Sequence, residues 1–165
     1  MKNYDNTNVK RQDRLLEENR AMELLKNGEF GFLSMVEEID SGGAGYGIPL
    51  NFVWDGKDSI YFHCAPEGHK TNSLEKNNKV SFCIVGSTNI VSNKFTTGYE
   101  SIIIRGAVDL NLSPEEKMSA LEYFLDKYSP NDKEIGLKYA EKSFHRTLLF
   151  KLTINQISGK TKQVK

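Results

Sequence analysis

The segment from Phe30 to His63 limits the fold more than any other part of the chain. Phe30 to Ile39 reads as a strand, and Asp40-Ser41-Gly42-Gly43-Ala44-Gly45 as a turn by composition. Tyr46 to Trp54 is a second strand, and Asp55-Gly56-Lys57-Asp58 is a hairpin turn into Ile60-Tyr61-Phe62-His63. Three strands in a meander leave no room for a crossover helix. Phe52 and Trp54, then Ile60 and Phe62, alternate with polar neighbours, which suits a sheet curled into a small barrel.

The rest of the chain fits around that meander. Leu15, Leu16, Met22, Leu24 and Leu25 predict an amphipathic helix over Asp13 to Asn27, with Gly28 as its stop. A short helix follows at Thr71 to Asn77, then a strand at Val80 to Val85 and a Ser-, Asn- and Thr-rich loop from Gly86 to Gly98. Ser101 to Leu112 is strongly β-branched at Ile102-Ile103-Ile104 and reads as a strand. Ser113-Pro114-Glu115-Glu116 has a cap residue, a first-turn proline and a third-position glutamate, so a helix starts there and runs to about Tyr128. A second helix is expected near Lys133 to Lys142, and a last strand over Thr147 to Ile157. The expected class is α+β: a mainly antiparallel, six-stranded barrel with flanking helices. Residues 1–10 read as a disordered tail, 11–160 as a single domain and 161–165 as a basic tail.

A chain of 165 residues can bury a real core as one domain. Lys plus Arg and Asp plus Glu are equal at 22 each, which argues against a nucleic-acid binder. No apolar run is long enough to cross a bilayer, and Met1 to Arg11 does not read as a secretory signal. Cys64 and Cys83 sit in apolar strand-like runs and read as reduced, so the cytoplasm is the expected address.

The chemistry concentrates at Tyr61-Phe62-His63-Cys64-Ala65-Pro66-Glu67-Gly68-His69-Lys70. A strand ends, a turn carries Gly, His and Lys, and a helix begins. The first turn of a helix has unpaired N–H groups and a partial positive charge, so a nearby cation makes it a phosphate-binding corner. An ordinary solvated turn fits the same residues equally well. Gly42-Gly43-Ala44-Gly45-Tyr46-Gly47 has the glycines of a nucleotide loop, but a β-like run follows where a dinucleotide fingerprint needs a helix. His63, Cys64 and His69 lack a fourth ligand for a structural zinc, and no metal is expected. Phe144-His145-Arg146 reads as surface charge before the last strand.

Four segments in order carry a resemblance. They are Tyr46 to Asp55, Ile60 to Lys70, Val80 to Gly86, and Lys94 to Ser101 followed by the isoleucine run and Arg105-Gly106. Together they resemble the pyridoxamine 5′-phosphate oxidase-like flavoproteins, and within them the 5-nitroimidazole-resistance reductases. That resemblance implies a split β-barrel binding FMN at a homodimer interface. It implies that Pro49, Leu50, Asn51, Phe52 and Val53 line the isoalloxazine edge, largely through backbone groups, and that His63, Cys64 and Ala65 continue the wall. Gly68, His69 and Lys70 fall where relatives hold the phosphate. Tyr99 and Ser101 fall near the segment that reaches the flavin across the subunit boundary.

Two departures shape the functional expectation. The basic residue that many relatives carry on the second strand is replaced by the Leu50 to Val53 run. The C-terminal Arg-and-His pattern that holds the pyridoxal ring in the true oxidases is missing from Ser158-Gly159-Lys160-Thr161-Lys162. FMN binding is therefore expected more than vitamin B6 synthesis. The expected function is an FMN-dependent reductase of a small electron-poor compound. A flavin- or haem-binding carrier and a pyridoxamine-phosphate oxidase are the alternatives.

Overall fold

A computed structural model describes residues 3–37, 43–143 and 146–164. The turn expected at 40–45 and the Phe144-His145 pair lie wholly or partly outside them. Seven antiparallel strands form one sheet: β1 (Phe30–Val36), β2 (Gly45–Asn51), β3 (Val53–Trp54), β4 (Ser59–Cys64), β5 (Lys79–Val91), β6 (Thr96–Asp109) and β7 (Leu148–Lys162). Four α-helices accompany them: α1 (Glu18–Asn27), α2 (His69–Lys76), α3 (Pro114–Tyr128) and α4 (Lys133–Ser143). The strand order is β2-β1-β5-β6-β7-β4-β3, so β2 and β3, adjacent in sequence, end up at opposite edges of the sheet. This is the α+β split barrel expected from the meander.

The inside of the curled sheet is built on four phenylalanines. Phe82 meets Phe52 and Phe62 edge-on at 5.1 and 5.0 Å, and Phe62 stacks on Phe150 at 4.9 Å. All four are fully buried, and removing one such ring costs roughly 3–5 kcal/mol. Period-two alternation places them there: Val80, Phe82 and Ile84 point inward from β5, and Ile102 and Ile104 from β6. α1 closes one end of this core with Ala21, Leu24 and Leu25. A second apolar cluster lies on the other side of β4, where Tyr61, Val53 and Leu149 pack under Ala120 and Phe124 of α3. Ser113 caps α3 as the sequence predicts, its hydroxyl accepting from the Glu116 N–H at 3.2 Å.

Several expectations change. The strand expected over Tyr46 to Trp54 breaks at Phe52, which makes seven segments of the expected six. The stretch expected as a loop from Gly86 to Gly98 is mostly an antiparallel arm. Thr88 to Val91 pairs with Thr96 to Tyr99 beyond a bulge, because the β-branched Thr88, Ile90, Val91, Thr96 and Thr97 favour a two-stranded ladder even where no core covers it. The helix expected from Asp13 starts at Glu18, since Leu15 bridges to Lys160 and holds that segment extended. The expected N-terminal tail is laid along β7: Tyr4 bridges to Ile157, and the Asp5 N–H donates to the Ile157 carbonyl at 2.9 Å. β7 itself runs on to Lys162, through residues expected in the basic tail.

Candidate functional site

The sheet ends in two edge strands, β2 and β3, and the sequence-predicted residues are distributed over β2, the end of β4 and the start of α2. β2 pairs only with β1, so alternate N–H and C=O groups along its other edge face outward unpaired. Tyr46, Ile48 and Leu50 turn partly buried toward the core, while Pro49 and Asn51 lie on the opposite face, beside Phe32 and Phe30. Phe52 and Val53 are different. Both side chains are buried. The Phe52 carbonyl accepts from Lys127 Nζ at 2.9 Å and lies 2.8 Å from the Tyr128 hydroxyl, which also accepts from the Phe52 N–H at 3.2 Å. Phe52 thus has neither side chain nor backbone polar group to spare for a ligand.

The second wall is the end of β4. Cys64 packs against the barrel core. His63, one residue earlier, points to the other face, where its ring meets Phe124 edge-on at 4.8 Å. His63 keeps an exposed surface, but partial desolvation first, and the Lys70 charge second, push its pKa down. Ala65 is exposed beside them.

The third element is the start of α2. Gly68 has φ +149°, a conformation that side chains other than glycine rarely adopt. The Asn72 N–H makes the first helical bond, to the Gly68 carbonyl. The N–H groups of His69, Lys70 and Thr71 therefore precede the helical ladder, and Gly68 has no side chain to cap them. Lys70 pairs with no carboxylate among the described residues; its Nζ lies 5.9 Å from the Phe150 ring centre. His69 is committed elsewhere. Its Nε2 is 2.8 Å from Glu37 Oε1, and its ring meets Tyr46 edge-on at 4.6 Å.

Of the predicted residues, Leu50, Cys64, Ala65, Gly68, His69 and Lys70 come from these three elements without pointing elsewhere, whereas the side chains of Pro49 and Asn51 lie on the outer face of β2 and that of His63 turns toward α3. Tyr99 and Ser101 do not join them. Tyr99 pairs with Thr88 and Lys162 on the arm, beside Arg20 and Glu100, and Ser101 pairs with Val85 and Lys160. Sequence reasoning missed Glu37, Lys127 and Tyr128. Tyr46 was inside the motif but was given no role. Glu37 and His69 are 32 residues apart and meet only through the β1–β2 register, so no local pattern reports their contact.

A family model described as pyridoxamine 5′-phosphate oxidase matches residues 17–161. The chain belongs to this family. Its members bind flavins. Solved structures share the fold. A candidate 5-nitroimidazole antibiotic resistance protein from Bacteroides thetaiotaomicron is 22% identical with a TM-score of 0.71, covering 90% of this chain and 86% of that one. The flavocytochrome Anf3 from Azotobacter vinelandii is 17% identical with a TM-score of 0.72, covering 94% and 73%. An FAD-binding protein from Mesorhizobium loti is 19% identical with a TM-score of 0.60, covering 91% and 98%. Comparison with curated protein sequences returned no match. Among the described residues, no helix is long and apolar enough to cross a membrane.

The residues of these elements offer the chemistry that a flavin of this family needs. A flavin phosphate needs N–H donors and a cation, which the α2 start and Lys70 offer. The ring needs a flat wall with a few polar atoms, which the free β2 edge and the Tyr46, Ile48 and Leu50 side chains offer.

Proposed function

We propose that this chain is an FMN-dependent reductase acting on small electron-poor organic molecules, 5-nitroimidazoles among them. The observation that carries the reading is the uncapped start of α2 beside Lys70, which pairs with no acid among the described residues, next to an edge strand. One anion cradle fits one phosphate, which favours FMN over a dinucleotide. Glu37 beside His69 discourages a second anionic group, and this is why a phosphorylated B6 substrate has no grip of its own here. Bound flavin supplies hydride or single-electron chemistry. The protein's part is to hold the phosphate with Lys70 and the α2 N–H groups, to seat the ring on the β2 edge, and to shield one ring face with apolar residues.

The working unit in this proposal is a homodimer. Phe30, Phe32, Val85 and Ile103 stand exposed on the outer face of β1, β5 and β6, where Phe32, Cys83 and Ile103 form one row across the strands. A contiguous apolar sheet face of this kind marks an interaction surface, and a symmetric pair is the commonest way to cover one.

The deciding experiment is release and identification of the cofactor from purified protein, followed by anaerobic reduction with dithionite and mixing with a nitroimidazole or with pyridoxal phosphate. FMN, fast reoxidation by the nitro compound and weak pyridoxal phosphate binding are expected. A reduced flavin left untouched by the nitro compound sinks the reductase reading, and a Soret band in place of flavin absorbance turns it toward haem.

A further inference from the structure

The helical hairpin of α3 and α4 forms a cavity of about 500 Å³ on the side of β4 away from the barrel core. Leu121, Phe124 and Leu125 from α3 and Ile135 and Tyr139 from α4 make its walls, and His63 from β4 is its floor. The size falls in the range of small-molecule pockets. Gly136 keeps the two helices close, since a Cβ there would collide with the Leu125 side chain. β4 thus serves two sites: Cys64 faces the barrel core, and His63 faces this cavity.

The lining selects the chemistry of an occupant. Ile135 and Tyr139 are 71% and 69% exposed, yet both border the cavity rather than the outer, charged side of α4. They are one turn apart and so share a face. Two of the rim hydroxyls are spent on backbone: Ser143 donates to the Tyr139 carbonyl at 2.9 Å and Thr147 to the Ser143 carbonyl at 3.4 Å. Asp132 adds a negative charge at the mouth, and no Lys or Arg is among the lining residues. Among the described residues, nothing hydrogen-bonds to the His63 ring, which offers one donor and one acceptor in its neutral form. Anions are disfavoured, phosphates most of all. A flat apolar ring between Phe124 and Tyr139, with one polar atom toward His63, matches every wall.

We infer that the α3–α4 cavity is a second ligand site, taking a small, uncharged, planar aromatic molecule against Phe124, Tyr139 and His63. The site stands independently of flavin binding at the α2 start.

The test uses full-length protein and two fluorescent probes of similar shape. N-phenyl-1-naphthylamine is uncharged, and 1-anilinonaphthalene-8-sulfonate is its anionic counterpart. Saturable binding of the uncharged probe is expected, tighter than the sulfonate by at least about tenfold. Ile135→Glu and Tyr139→Glu alter exposed positions, so the fold should persist, as far-UV circular dichroism will verify. Each should weaken the uncharged probe by about tenfold or more while leaving FMN affinity unchanged. The inference is overturned if the uncharged probe does not bind, if the sulfonate binds as well, or if folded variants bind both probes like the parent. It is also overturned if Phe32→Glu on the sheet face, rather than the α4 variants, removes the probe. Absence of flavin binding alongside intact, α4-dependent probe binding would defeat the reductase proposal and leave this one standing.

Discussion

The Tyr128 hydroxyl accepts from the N–H of Phe52 at 3.2 Å and sits 2.8 Å from the carbonyl of the same residue. One side chain on α3 therefore holds both backbone polar groups of the residue where the edge strand β2 gives way to β3. The same hydroxyl is 2.9 Å from the Glu29 carbonyl at the entry to β1, so three strands are tied at one oxygen. Replacing it by Tyr128→Phe leaves the Phe52 N–H without its partner. We expect a loss of about 1–3 kcal/mol in urea unfolding, together with weaker FMN binding, because the β2 edge loses its anchor. Unchanged flavin affinity in a destabilised variant would confine Tyr128 to a structural role.

Lys127 makes a pH-dependent contribution at the same place. Its Nζ bonds the Phe52 carbonyl and lies 3.9 Å from the Phe52 ring centre, and burial pushes its pKa down to about 8. The unfolded chain holds this proton more tightly than the folded one. Stability should therefore rise as pH increases from about 8 to 10, by about 1 kcal/mol once solvent screening of a partly exposed side chain is allowed for. Lys127→Met should abolish that rise. Parallel urea curves at several pH values would measure it, and an identical slope in both proteins would remove Lys127 as its source.

Glu100 gives the acid counterpart. The Arg20 guanidinium, 2.5 Å away, is the main reason its carboxyl falls to about 2, and the Ser87 N–H adds to the effect. A depressed carboxyl pKa stabilises the fold above the unfolded value and loses that stabilisation as pH falls toward the folded one. Between about pH 5 and 2 the protein should lose about 1–2 kcal/mol through this group, discounted for the exposure of Arg20. Glu100→Gln should be less stable at pH 7 and flatter in acid. Thermal melts across that range provide the comparison.

Flavin affinity should separate the two basic residues at the α2 start. Lys70→Ala removes an uncommitted cation and is expected to cost on the order of 1.5–3 kcal/mol of FMN binding. His69→Ala should change it much less, because His69 is already occupied by Glu37. Equal affinity of the Lys70 variant and the parent would remove the phosphate assignment.

The proposed dimer predicts that Phe32→Glu or Ile103→Glu, on the exposed sheet face, converts a dimer to a monomer in light scattering at micromolar concentration. A parent protein that is already monomeric when loaded with flavin would refute it.

Local sequence reported the fold well where one face of a strand meets a core. The inward-facing Phe52, Ile60 and Phe62 of the expected alternation and the Ser113-Pro114 helix start reappear in the structure, while Trp54 is only half-buried. It failed where no core is involved. The arm from Ser87 to Gly98 has polar residues on both faces and reads as a loop, although its partner strand makes it a ladder. The candidate site was legible in parts, since His63 to Lys70 is a contiguous motif. That His63 and Cys64 would face opposite sides follows from strand geometry. What stands beside His63 was not legible, because it depends on α3 and α4, at least fifty residues later in the chain.

The place of β7 in the sheet has a consequence for how the chain folds. It follows the other six strands in the chain, yet it lies between β6 and β4 and carries both of their hydrogen-bonded edges. Until β7 has formed, β3 and β4 have no hydrogen-bonded link to β6 and the rest of the sheet, and the segment at Tyr4 has no strand to pair with. Non-local pairings of this kind fold slowly. The folding chain therefore passes through a stage in which the Phe62 side of the core is exposed, and completion waits on the insertion of one strand.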